Sequence, residues 1–587
     1  MPIGNVLIAC VTSPAHGVMT RCNVSLPMKG KSWLSRIQNM TCSELGREKK
    51  VFWSCVNITV FYVTYQYYKH EAKFFYLRDM LGVSLCLSRG SASVLNLNSA
   101  AIFLPMCRTL LVKFRGTKMT KRFIRRGIDR GHFIHVVCAS FLLMATVVHV
   151  VAHICNAIHF STNFNEEFSE VNVATFKGEN PCKLILTTLA GVSGILMVLL
   201  LVMISLLSVP TIRKHSFQLF WYVHHCFPVY YLLLLSHSLG GLLKEQCNVQ
   251  THVPGCTMDV GAIPEPVWGK EDMIFTENST SCIETPKFIP HRSETWCYVL
   301  IPILIYLADK VWRNLQSRYP VIVQSVIFHP ADVVELEFEK EKFKASPGQY
   351  ILLMCDKVSH IEWHPFTLTR CPTKCNPTFT IHIRVKGDWT SAVKELLLEQ
   401  RHRNIEAAAT SIPRFFVDGP FGGSSQDVFK YNTSVCIAGG VGITPFAAVL
   451  NELRMRASLG NLKLRSLYLI WICRQVDCFQ WFAEMITDLY WKLWRENCPD
   501  VLNVRLFLTG NSTPNLSTLP KFLLKRVSLG RPEMKTIFQE IAKCQTKCNN
   551  IGVFVCGSSK LSTRVYQLCR SCSTKDTKFF FNEDNFA

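Results

Sequence analysis

The sequence predicts a two-part fold: a six-helix membrane half, then a soluble half made of an antiparallel β-barrel and an α/β domain. Three observations predict it. Long stretches of the first 312 residues carry no Asp, Glu, Lys or Arg, whereas residues 313–587 mix charges at ordinary density. Six stretches of the first half, about 51–68, 81–112, 132–155, 184–209, 217–239 and 295–312, are apolar, and the middle four hold the roughly 20 apolar residues that cross ~30 Å of hydrocarbon. From about 320 short alternating runs such as VIVQSVIFH, VVELEFE and FTIHIRV read as strands, and from about 432 strands alternate with helical stretches.

Composition narrows the class. Of 587 residues, 49% are hydrophobic and 18% charged, with 30 Gly and 26 Pro, which excludes a collagen-like or mainly disordered chain. A net charge of +22 in a soluble protein would point to nucleic acid. Here the cations crowd loops between apolar segments, so no nucleic-acid partner is expected. The 26 cysteines are scattered without the paired CxxC motifs of a zinc finger.

The loops orient the membrane half, because Lys and Arg concentrate on the cytosolic side. Residues 113–131 hold eight Lys and Arg against one acid, Asp129, and residues 210–216 hold Arg213 and Lys214. Residues 156–183 are acidic, and the long 240–294 loop carries an Asn278-Ser279-Thr280 sequon and three cysteines, so both belong outside or in a lumen. Six spans then put both termini in the cytosol. The expected division is an unassigned cytosolic extension (1–50), the membrane half (51–312), the barrel (313–430) and the α/β domain (431–587).

Histidines in the third and fifth spans are the first chemical signal. His135 and His149 are 14 residues apart, and His224 and His237 are 13 apart. Each pair is separated by about 20 Å along a helix, one member in each half of the bilayer, as two stacked bis-imidazole haems require. Membrane histidines can also face a pore or bond a neighbouring helix, but four with matched spacing favour metal ligation. Fourteen residues return to within about 40° of one face while 13 end about 140° away. The fifth helix must therefore bend, and Pro228 is the expected cause. Arg89, deep in the second span, needs an anionic partner such as a haem propionate, and His153 is expected at the outer end of the third.

In the soluble half the strongest local motif is the glycine turn Ala438-Gly439-Gly440-Val441-Gly442-Ile443-Thr444-Pro445, between an apolar strand and a helix. Such a turn lets the backbone approach a pyrophosphate. Together with His364-Pro365-Phe366-Thr367-Leu368-Thr369, Gly387-Asp388-Trp389-Thr390, Asp418-Gly419-Pro420-Phe421-Gly422, Trp471-Ile472-Cys473-Arg474 and Cys556-Gly557, all after a six-span haem domain, the chain resembles the NADPH oxidases. LCLSRGSASVLNLN, GGLLK after His237 and THVPGC in the outer loop resemble the constitutively active, peroxide-producing branch of that family. Ser558 after Cys556-Gly557, where Pro is usual, and Glu533, where Asn is usual, depart from the pattern.

The resemblance implies a ferredoxin-NADP-reductase-like dehydrogenase half, with FAD on the barrel, NADPH on the α/β domain, and two b-type haems held by His135 with His224 and His149 with His237. It further implies that the His364–Thr369 strand edge holds the flavin, that Arg384 neutralises the FAD pyrophosphate, that Cys556 lies near the nicotinamide and that Phe586 covers the flavin ring. Gly439, Gly440, Gly442, Thr444, Pro445, Arg531 and Gly557 join the nucleotide site, and Arg474 is expected to meet the 2′-phosphate. Arg89 and His153 are expected to bound the oxygen pocket, and His252 to donate a proton from the outer loop, which Cys256 and Cys282 would close, with Cys247 and Cys297 as competing partners. The family implies a small membrane subunit, the cytochrome b light chain of the phagocyte oxidase, as partner, and the plasma membrane or endoplasmic reticulum as location. The rivals are a ferric-chelate reductase, which shares the plan, and a channel or scaffold with a degenerate reductase domain.

Overall fold

The computed structural model describes residues 44–117, 122–128, 131–256, 284–403, 413–458, 464–510, 519–544, 549–574 and 576–584. The chain divides into two compact units, Met1–Trp53 and Ser54–Ala587. The described part of the first is the start of helix α1 (Glu44–His70). The expected extension at 1–50 otherwise lies outside the described residues.

The membrane half continues through α2 (Phe75–Leu81), α3 (Val83–Ala101), α4 (Arg108–Gly116), α5 (Arg122–Ile128), α6 (Gly131–Thr162), α7 (Pro181–Thr187), α8 (Leu189–Leu207), α9 (Pro210–His215), α10 (Phe217–His224), α11 (Phe227–Ser238) and α12 (Thr295–Gln316). Among the described residues, α6, α8, the α10–α11 run and α12 are long and apolar enough to cross a membrane. A fifth is a bent pair, Ala72–Leu81 with Val83–Met106, at 114°.

This revises the six expected spans in three places. The 51–68 stretch is helical within α1 but is not among the helices apolar enough to cross, because residues such as Asn57 and Gln66 interrupt it. Asn57 instead accepts a 2.6 Å hydrogen bond from the Asn98 amide of α3. The 81–112 span is broken at Gly82, whose φ of +63° suits glycine, and again after Ala101. The third span runs to Thr162, seven residues beyond 155, because its polar end is satisfied: Ser84 donates to Asn156 at 2.7 Å, and His159 Nδ1 lies 2.9 Å from the Leu81 carbonyl. His153 is accordingly well inside α6 rather than at its end.

The fifth span breaks between its two histidines, with α10 ending at His224 and α11 starting at Phe227. Pro228 occupies the first turn of α11, where its missing N–H costs nothing.

The soluble half begins with a closed barrel in the order β3-β4-β7-β6-β5-β8. Its strands are β3 (Pro320–His329), β4 (Val333–Glu339), β5 (Tyr350–Cys355), β6 (His364–Arg370), β7 (Thr378–Arg384) and β8 (Phe415–Phe421), the outer loop having supplied the short β1 (Lys244–Gln246) and β2 (Phe288–Pro290). Alternation sends Leu336, Phe338, Leu368, Phe379 and Ile381 into a dry core and turns Glu335, Glu337 and His382 outward. Helix α12 docks on the barrel through Arg313, whose Nε donates at 2.9 Å to Asp418 of β8.

The α/β domain is a six-stranded parallel sheet, β12-β11-β10-β9-β13-β14, with β9 (Thr433–Gly439), β10 (Ser466–Cys473), β11 (Leu502–Leu508), β12 (Val527–Leu529), β13 (Asn549–Cys556) and β14 (Thr577–Asp584). Strand order reverses between β9 and β13. The carboxyl ends of strands at such a switch point form the crevice where α/β sheets bind ligands.

Candidate functional site

The four membrane histidines form two facing pairs. His135 and His224 have ring centroids 6.1 Å apart, and His149 and His237 are 6.3 Å apart. An iron–imidazole bond of about 2.0 Å on each side, plus ~1.1 Å from nitrogen to ring centre, puts opposed rings ~6.2 Å apart. The gaps therefore fit one iron each. His135 Nδ1 lies 3.2 Å from the Ile102 carbonyl, His149 Nδ1 lies 3.1 Å from the Ser88 carbonyl, and His237 Nδ1 lies 3.1 Å from Ser193 Oγ. Such bonds fix each ring and leave Nε2 for a metal. His224 Nδ1 is buried without a partner.

Arg89 Nε is likewise buried without a hydrogen bond. A buried donor left unmade costs about 1–3 kcal/mol, more when charged, so an acceptor such as a propionate fits there. The guanidinium carbon lies 5.0 Å from the Tyr68 ring. His153 stacks edge-on to His149 at 4.4 Å.

Tyr68 starts a chain of contacts that sequence reading missed. Its hydroxyl is 3.0 Å from His291 Nε2, and His291 Nδ1 is 2.7 Å from a Glu245 oxygen that also pairs with Lys73 at 3.0 Å. Burial raises the Glu245 carboxyl, but the bonds from His291 and Lys73 outweigh it and hold the group below its ordinary value. Strands β1 and β2 bring Glu245 and His291 together, a pairing across 46 residues with no local signature.

His252 is almost fully buried, with Nε2 2.6 Å from the Tyr76 hydroxyl and Nδ1 2.9 Å from the Glu284 carbonyl. Both nitrogens are hydrogen-bonded, which pins the outer loop to α2. Cys256 is disulfide-bonded while Cys247 and Cys297 are free thiols. That removes the two competing partners, and Cys282 lies outside the described residues.

On the barrel, His364 stacks on Trp389 at 4.3 Å, Phe366 follows at 5.9 Å, and Trp389 Nε1 is buried without a partner. An aromatic shelf with an unused donor fits a flavin. Burial lowers the His364 imidazole, opposed by its bond to Glu362. β6 is not an edge, since it pairs with β5 and β7. Pro365 is exposed and Thr367 buried, Leu368 fills the barrel core, and Thr369 Oγ1 bonds Thr380 at 2.9 Å and His382 at 3.0 Å. Gly387 and Asp388 are exposed at the start of helix α13 (Asp388–Arg403).

The glycine turn leads into helix α14 (Thr444–Ser458), with Thr444 and Pro445 buried in its first turn. The parallel register aligns Gly439 with Ile472, and Ala438 with Cys556, so Gly440, Gly557 and Arg474 crowd one carboxyl edge. Arg531 lies past the end of β12 on that edge. A Cβ on Gly440 would lie 3.7 Å from Arg384 Nη1, so Arg384 reaches across from the barrel to the turn. Burial pushes the Cys556 thiol up, with Asp584 and Glu583 adding to it. A Cβ on Gly442 would meet the Cys556 carbonyl oxygen at 2.2 Å. Gly442→Ala should therefore spread β9 from β13 and raise the KM for NADPH, with the haem spectrum unchanged; steady-state kinetics on membranes checks it. Phe586 lies outside the described residues.

Paired membrane imidazoles, an aromatic shelf on a barrel and a glycine turn at a sheet switch point define a transmembrane reductase with flavin and pyridine-nucleotide domains. Family models agree: a ferric reductase like transmembrane component matches residues 97–235, an FAD-binding domain 318–425 and a ferric reductase NAD binding domain 431–570. The chain is 40% identical to NADPH oxidase 4 of Mus musculus over 95% of this chain and 100% of that protein. It is 39% identical to NADPH oxidase 4 of Homo sapiens over the same shares, and 32% identical to NADPH oxidase 3 of Homo sapiens over 91% and 97%. The chain belongs to the NADPH oxidase family. It is a membrane enzyme with FAD- and NADP-binding domains that passes electrons from NADPH across the membrane to oxygen.

Proposed function

We propose that this oxidase carries electrons through two haems, an inner one held by His135 and His224 and an outer one held by His149 and His237, and reduces oxygen in a pocket bounded by Arg89 and His153. The observation that carries this reading is the pair of 6.1 and 6.3 Å ring separations. Bound FAD accepts a two-electron hydride and haem passes single electrons, which is why a flavin stands between NADPH and the membrane. Two b-type haems per purified chain, both low-spin and bis-imidazole by electron paramagnetic resonance, are expected. One haem per chain, or a high-spin signal from an open iron position, overturns the reading.

The protein's own groups have separate tasks. Trp389 and His364 hold the flavin, Arg384 neutralises the FAD pyrophosphate, and the Gly439–Gly442 turn holds the NADPH phosphates. Loop charge supports a cytosolic soluble half, and a cytosolic N-terminus follows with α1 as the sixth span, in the plasma membrane or endoplasmic reticulum. The exposed apolar faces of α6, α8 and α12 fit lipid or the small cytochrome b light-chain subunit.

Peroxide release requires superoxide to be held and protonated before escape. Tyr68 stands beside Arg89 and, with His291 bonded to its hydroxyl, supplies the proton, which His291 regains from solvent while the Glu245 carboxylate orients the ring; His252 and the Cys256 disulfide hold the loop closed. His291→Gln and His252→Gln should both shift output from peroxide towards superoxide with total electron flow little changed. Only the second should speed hydrogen exchange in the 244–256 segment. Unchanged product ratios in both variants, measured in intact cells, would leave the loop a cover without a chemical role.

A further inference from the structure

A second cluster of ligating side chains lies outside the membrane and away from the flavin shelf. Among the described residues, His329, Glu335 and His382 form the group whose ligand atoms all lie within 4.8 Å of one another. Sequence alternation makes it. β4 turns its glutamates outward and β7 turns His382 outward, and the register sets Glu335 directly opposite His382, where cross-strand side chains meet. His329 ends β3 and returns over the same face, its ring stacked on His382 at 5.3 Å and 18°.

The donor atoms converge. His329 Nε2 is 2.8 Å from Glu335 Oε2, and His382 Nε2 is 3.5 Å from the same oxygen. His382 is 6% exposed. Its Nδ1 is held by Thr369 Oγ1 at 3.0 Å, while its Nε2 is buried without a hydrogen bond and points into the cluster. A ring fixed through Nδ1 with Nε2 unused is the state in which an imidazole ligates a metal.

We propose that His329, Glu335 and His382 bind one zinc ion. Two imidazoles and one carboxylate, with water in the fourth position, are a common zinc set. Tetrahedral bonds of about 2.0–2.1 Å separate ligand atoms by ~3.3 Å, so His329 and Glu335 need to part by only about half an ångström. Zinc takes the place of the proton shared between His329 and Glu335, which leaves to solvent. The ion has no redox chemistry, so it diverts no electrons from a neighbouring flavin. It also lies where the two soluble domains meet. His382 packs on Phe482 at 4.5 Å, and Trp481 Nε1 donates at 2.8 Å to Pro330 in the turn between β3 and β4. Zinc therefore ties the β3–β4 turn to β7 under the nucleotide domain. The inference does not rest on the haem assignment.

The test uses the full-length protein in detergent with its haem and FAD, loaded with zinc and then passed over a weak chelating resin. Elemental analysis should find one more zinc per chain in the wild type than in Glu335→Gln or His329→Asn, with haem and FAD absorption retained in all three. Equal zinc in wild type and variants, or none in the wild type, overturns the proposal. Should both variants lose haem and FAD, zinc-edge X-ray absorption on the wild type decides: a shell of nitrogen and oxygen only, with two imidazoles, upholds it, and sulfur ligands or an adventitious ion only overturn it.

Discussion

Replacing His149 with leucine is expected to stop oxygen reduction and remove one haem, while NADPH still reduces the flavin. Leucine keeps α6 apolar, so the helix persists, but it offers no nitrogen across the 6.3 Å gap to His237. The bonds from Nδ1 to the Ser88 carbonyl at 3.1 Å and to Ser91 Oγ at 3.3 Å are lost with it, so α3 no longer has a ring to orient. His237 alone, tied to Ser193, would be left to hold the outer haem from one side. The inner pair is untouched and lies about 20 Å away along the helix, so electrons reach the inner carrier and stop half way. Haem per chain should fall from two to one, oxygen uptake to background, and flavin bleaching by NADPH should proceed at the wild-type rate. A variant that retains two haems sinks the ligand assignment; one that loses flavin reduction as well has lost its fold.

The residues that proved legible in sequence are those whose partners are set by a period. Histidines 14 apart on one helix announce two layers by themselves, and the 13-residue spacing on the next helix foretold a break that occurs at His225 and Cys226, just before Pro228. The alternation of VVELEFE gave the barrel strand and its inward set. What stayed hidden depends on pairings between distant elements. Tyr68 meets His291 only because β1 and β2 fold the outer loop back, and the His329–Glu335–His382 cluster needs three strands in register. The surroundings of His252 were hidden for a related reason: its residue type suggests a proton donor, and only the fold reveals Tyr76 and Glu284 at its two nitrogens. The spans differ where composition hid local geometry. α1 is long but more polar than the other spans, and a positive-φ Gly82 splits a run that hydropathy reads as continuous.

Arg474→Ala should weaken NADPH roughly ten- to hundredfold while leaving NADH almost unchanged. The parallel register carries the argument. Cys473 pairs with Leu508, and Leu508 with Leu529, so Arg474 stands one residue beyond that row and Arg531 two, on strands separated by roughly 10 Å. Both are exposed on the edge where the Gly440 turn opens, so a nucleotide whose pyrophosphate meets that turn extends its adenosine end towards them. The Arg474 backbone is held in position: Thr509 N donates to the Cys473 carbonyl at 2.8 Å and Thr509 Oγ1 at 3.0 Å, so alanine removes the guanidinium without moving the strand. A charge-assisted contact to phosphate contributes about 1.5–3 kcal/mol, and Arg suits phosphate by its planar fork of donors. NADH has no 2′-phosphate and forfeits nothing there. Apparent affinities for both nucleotides, measured by flavin reduction on membranes, separate the cases. A selective loss for NADPH assigns the 2′-phosphate to Arg474, and equal loss for both makes it a general phosphate or structural contact. An effect confined instead to Arg531→Ala moves the 2′-phosphate two strands along the sheet.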